Sequence, residues 1–164
     1  MISLNEIVNL KKHPLDNQDY IYQCNNKIQK GSILILNNFL NSKCLDELIN
    51  EAKNLEKHAF YCSQNHTILL NKKNKIFDSN DPLNIEVVSD KGCVPHDLLN
   101  ANSKLNLLYK SSFFKNFLKG VLNLNYLYPY KDPLSSINYN YYQKTQQLGW
   151  HFDNASFAIT LMIQ

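Results

Sequence analysis

Between Asp16 and Lys30, Tyr20, Ile21, Cys24 and Ile28 recur at spacings of one, three and four. That is the period of a helix with one apolar stripe, and Gly31 predicts its end. Ile33-Leu34-Ile35-Leu36 is an unbroken apolar run, which predicts a short buried strand. Asn37-Asn38 breaks the pattern before Phe39-Leu40. Asn41 or Ser42 is placed to cap a second helix, with Asp46 and Glu47 near its positive end. Leu45, Leu48, Ile49, Ala52 and Leu55 give that helix one apolar face. Residues 59–70 read as extended, 71–81 as a polar, lysine-rich loop with a solvated face, and Ile85–Val88 as a strand. Ser111 or Ser112 starts a third helix carrying Phe113, Phe114, Phe117 and Leu118, and Gly120 closes it. Pro129 and Pro133 bracket a turn. Ile137–Tyr142 and Phe157–Ile163 read as further strands.

The predicted class is α+β, with helices first and strands last. The length of 164 residues suits one domain. Within it, 1–15 reads as an N-terminal extension, 16–130 as the helical and strand part, and 131–164 as the first strands of an incomplete β core. The stretch Ile159-Thr160-Leu161-Met162-Ile163-Gln164 is apolar enough to need strand neighbours on both edges. The expectation is therefore that a C-terminal part of the domain is missing.

Composition narrows the function. All 17 basic residues are lysine, and the formal charge is +3. Dispersed lysines, the lack of arginine and the lack of a recognised motif argue against a nucleic-acid partner. No apolar run approaches a membrane span, and Met1–Lys12 lacks the apolar centre of a secretory signal. Cys24, Cys44, Cys62 and Cys93 are widely spaced with no CxxC pair. They read as reduced thiols of a cytoplasmic protein.

The stretch that carries chemistry is Gly149-Trp150-His151-Phe152-Asp153-Asn154. In a strand, residues two apart face one side, so His151 and Asp153 would present an imidazole and a carboxylate to one point. These are two parts of the 2-His-1-carboxylate triad that holds Fe(II) with open positions. A His-x-Asp pattern by itself is equally a surface histidine beside a solvated aspartate.

The run Gly149–Gln164 resembles the first metal-ligand segment of the Fe(II)/2-oxoglutarate-dependent dioxygenase superfamily. It is most like the HalD/BesD group of free-amino-acid halogenases and hydroxylases. Tyr128-Pro129-Tyr130-Lys131-Asp132-Pro133-Leu134 with Ile137-Asn138-Tyr139-Asn140, and Gly31–Leu40 leading into a helix, are similar to the same group. The resemblance runs from about residue 18 to Gln164.

It implies a double-stranded β-helix (jelly-roll) core with N-terminal helices packed on it, the later part of the barrel lying beyond this chain. It implies Fe(II), 2-oxoglutarate as co-substrate and O2, which together remove hydrogen from an unactivated C–H bond. His151 and Asp153 are then iron ligands. Chlorinating members of the group replace the carboxylate by a small residue; Asp153 therefore points to hydroxylation of a free amino acid or similar small molecule, an amine-bearing amino acid among them. The family's distal histidine ligand and its basic partner for the far carboxylate of 2-oxoglutarate fall past Gln164. The alternative is a catalytically dead remnant, or a structural or binding module of the same fold.

The remaining candidates carry two readings each. Asn138, Asn140 and Tyr142 alternate before the motif and bind 2-oxoglutarate or substrate, or else form cross-strand pairs. Asp132 pairs a substrate ammonium, or makes the turn expected of Asp before Pro. Trp150 is a substrate platform or a core residue. His66 reaches a substrate pocket, or is a satisfied surface histidine. Asn154 orients Asp153, or caps a bend.

Overall fold

The computed structural model describes residues 3–164. The fold is α+β, with four α-helices and one three-stranded antiparallel sheet among the described residues. The chain divides into two compact units, one made of residues up to Ala52 with Pro95–Ile137, the other of Lys53–Val94 with Asn138–Gln164. No helix among the described residues is long and apolar enough to cross a membrane.

The first unit is helical. It contains α1 (Gln18–Gly31), most of α2 (Ser42–Leu55), α3 (Lys104–Lys110) and α4 (Ser112–Val121). Each begins where a short polar side chain takes up an otherwise unpaired N–H. Asn17 accepts from Tyr20 N–H at 2.9 Å, Asn41 from Cys44 at 2.8 Å, Ser103 from Leu105 at 3.2 Å and Ser111 from Phe114 at 3.3 Å. The apolar stripes of α1 and α4 meet, with Tyr20 stacked on Phe117 at 6.0 Å between ring centres. Helix α3 carries Leu105, Leu108 and Tyr109 at helical spacing within only seven residues, a short stripe whose start the Ser103 cap marks.

Two expectations for this unit change. Residues 3–15 are not an appendage, because Ile7, Val8 and Leu15 are buried in the core and Val8 bridges Leu40. Ile33–Leu36 forms no strand, and Ile33 and Ile35 are 71% and 74% exposed. An apolar run becomes a strand only against a free edge. Here it leaves α1 through a left-handed Ser32, φ 58°, in a unit without a sheet.

The second unit holds the sheet: β1 (Phe60–Thr67), β2 (Glu86–Val94) and β3 (Tyr139–Tyr141), in the order β1-β2-β3. Strand β1 pairs with β2 from Phe60 opposite Cys93 to Thr67 opposite Glu86, and Cys93 lies opposite Asn140 of β3. The twofold period therefore puts His66, Val87, Ser89, Lys91, Cys93 and Asn140 on one face. On the other, Tyr61 lies over Gly92, where even a methyl group would meet the ring at 2.7 Å.

Residues 71–81 form a loop, as the polar run predicts, and the buried Asn84 amide donates to the Asn74, Phe77 and Asp78 carbonyls at 3.2 Å each. Two strands thus precede α3 and α4, so the helices-first order does not hold. Phe157–Ile163 is not a strand either; the only strand within 131–164 is β3. The apolar run pairs with neither edge strand, β1 or β3. All four cysteines are free thiols, Cys24 and Cys44 buried and Cys62 exposed.

Candidate functional site

The His151–Asp153 stretch lies in the sheet-bearing unit. It is not a strand, but it is pinned to one. Asp90 N–H donates to the Gln147 carbonyl at 2.7 Å, the Gln146 amide to the Asp90 carboxylate at 2.8 Å, and Gly149 N–H to Ser89 Oγ at 3.0 Å. Beyond the motif's histidine, Phe152 N–H donates to the Ile68 carbonyl at 2.8 Å. Gly149 has to be glycine, because a Cβ would lie 2.7 Å from the Val88 carbonyl oxygen.

With the backbone held, His151 Nδ1–H donates to the Gly149 carbonyl at 2.6 Å. The other ring nitrogen, Nε2, stands 3.2 Å from Asp153 Oδ1. The imidazole is mostly covered, at 15% side-chain exposure, whereas the carboxylate is open at 54%. One ring therefore faces two acceptors. A proton on Nδ1 satisfies the first; the second needs another ring proton, or a cation held jointly by Nε2 and the carboxylate. Two neighbouring ligands on an octahedral ion stand about 3 Å apart, for bonds of about 2.1 Å at a right angle. The observed separation fits that requirement, and the donor set, an imidazole and a carboxylate, fits Fe(II).

No family model, curated protein or solved structure matches this chain.

The pair stands without a third ligand: among the described residues, no group of three or more His, Cys, Asp or Glu side chains is gathered to hold a metal ion. The nearby histidine is His66, with its ring edge-on to His151 at 5.7 Å between centres. His66 is not at the surface. It is 4% exposed with both ring nitrogens engaged, so it offers no free nitrogen to a substrate.

The other sequence candidates are spread out. Asn140 accepts from Lys91 Nζ at 2.9 Å, a cross-strand contact between β2 and the edge strand β3. Asn138 is exposed. Tyr142 is half-exposed, and its hydroxyl is pushed up by burial and secondarily by Cys93. Trp150 is 79% exposed and so is not core. Asn154 is exposed and makes no hydrogen bond to Asp153 among the described residues. Asp132 belongs to the helical unit. Its carboxylate accepts from Leu134 and Ser135 N–H at 2.7 and 3.1 Å, and these backbone bonds hold it below the usual carboxylate range. That is the turn role of Asp before Pro.

Sequence reading missed Ser89, because a serine inside a strand carries no signal of its own. Gly149 did carry one, since glycine in an otherwise extended, aromatic stretch marks close backbone approach.

Proposed function

We propose that His151 and Asp153 are two protein ligands of an Fe(II)/2-oxoglutarate-dependent oxygenase of jelly-roll type. The proposed enzyme hydroxylates a free amino acid or similar small molecule. The observation that carries this reading is the 3.2 Å approach of His151 Nε2 to Asp153 Oδ1, with Nδ1 anchored on a backbone carbonyl. The sequence resemblance supplies the cofactor and reaction class. Bound iron with 2-oxoglutarate and O2 would supply the oxidant for C–H hydroxylation.

This chain's residues have simpler tasks. Gly149 orients the imidazole through its carbonyl, Asp153 supplies a carboxylate open to one side, and Asp153 fills the position a halide would need. Two protein ligands hold a metal weakly. In the proposed family a distal histidine and a basic partner of 2-oxoglutarate complete the site, so these two ligands are not proposed to turn over alone.

The absence of a third ligand among the described residues favours the second reading, a module that keeps the fold without the chemistry. One titration separates the two. Trp150, the single tryptophan, is exposed and adjacent to His151, so its emission reports a paramagnetic ion at the site. Co(II) added with 2-oxoglutarate is expected to quench it saturably, and Asp153→Ala to weaken that binding by more than about tenfold. Equal binding by both proteins, or none by the wild type, selects the module without metal chemistry.

A further inference from the structure

We propose that Ser89 and His66 are positioning residues for His151, acting through the backbone of Gly149. The directions of four hydrogen bonds carry the argument. His66 Nδ1 lies 2.8 Å from the Thr67 carbonyl, which only accepts, so Nδ1 bears the proton. The neutral ring then has a bare Nε2, which accepts the Ser89 hydroxyl proton at 2.6 Å. With its one proton committed, Ser89 Oγ accepts from Gly149 N–H at 3.0 Å. The carbonyl of Gly149 then accepts from His151 Nδ1–H at 2.6 Å.

The relay runs from the Thr67 carbonyl to Nδ1 of His151, the ring nitrogen on the other side from the Nε2 that meets Asp153. Thr67, His66 and Ser89 are all buried, so water does not compete for these groups. The His66 ring, edge-on at 89°, also walls the His151 ring on one side. Its role is to present Nε2 towards Asp153 and keep Nδ1 on the backbone, the orientation a metal-binding imidazole needs. The sequence candidate for substrate contact thus acts behind the site. The functional consequence rests on the metal-ligand reading of His151 and Asp153; the relay itself does not.

The test uses the whole 15N-labelled chain at about pH 8.5, above the ordinary titration of imidazole. Long-range 1H–15N spectra of metal-free wild type are expected to place the His66 proton on Nδ1. A proton on Nε2 overturns the proposal, whether or not any variant folds. In Ser89→Ala, Gly149 N–H should exchange with solvent at least tenfold faster, and Co(II) affinity should fall by about tenfold or more. Ser89→Thr, which keeps the hydroxyl on a residue suited to β2, should restore both. A folded Ser89→Ala with Gly149 exchange and Co(II) affinity unchanged overturns the relay. The expected His66 tautomer and faster Gly149 exchange, with no Co(II) uptake by any form, uphold the relay and retire the metal reading.

Discussion

A methyl group on Gly149 would sit 2.7 Å from the Val88 carbonyl oxygen and 2.8 Å from a Val87 methyl. A backbone oxygen in a paired strand cannot step aside. Gly149→Ala should therefore cost about 1–3 kcal/mol in urea unfolding and displace the carbonyl that anchors His151. Cys44 makes a different demand. Burial, then Glu47, pushes its thiol up to about 11, against an ordinary value near 9. The unfolded chain releases this proton first, so the thiol favours folding below about pH 9. That contribution, on the order of 2–3 kcal/mol, is lost as pH rises towards 11. Unfolding midpoints measured across that range should fall in the wild type and fall less in Cys44→Ala. At this scale the sequence pointed to His151 and Asp153 as neighbours, which they are at 3.2 Å, through a strand argument that the structure does not follow. The two side chains approach through a pinned loop, and the partners that pin it, Ser89 and Ile68, are 60 or more residues away in a chain that gives no hint of the contact.

Among the elements, α1, α2 and α4 were legible because each combines an apolar stripe with a polar cap. The strands β1 and β2 were legible as extended runs. What failed was Ile33–Leu36 and Phe157–Ile163, where composition says strand and the run pairs with no neighbouring strand. Helix glycines provide a test of the same physics. Gly31 ends α1 without a positive φ, and a methyl group added there would meet nothing within 4 Å. Gly31→Ala should therefore stabilise by about 0.5–1 kcal/mol. At Gly120 a Cβ would lie 2.6 Å from an Ile21 methyl. Alanine there gains about 1 kcal/mol of helix propensity and loses more in overpacking α1 against α4. Gly120→Ala should be destabilising by about 1 kcal/mol, and a pair of urea curves checks both signs.

At the scale of the molecule, hydrogen bonding is uneven. The β1–β2 ladder runs through eight paired positions on each strand, whereas no backbone N–H of 153–164 has a partner among the described residues. Amide exchange should therefore be slow across the ladder and near that of an unstructured peptide over 153–164; strong protection over 153–164 would contradict that difference.

The two units also interrupt one another along the chain, each assembled from two separate segments. During synthesis from the N-terminus, α1 is finished long before α4, its packing partner. At roughly 5–20 residues per second, the 90 residues from Gly31 to Val121 take roughly 5–18 s. Throughout that interval the nascent helices carry the apolar faces of Tyr20, Ile21 and Cys24 uncovered. A newborn chain of this kind shows apolar helix surface to water before its partner helix exists.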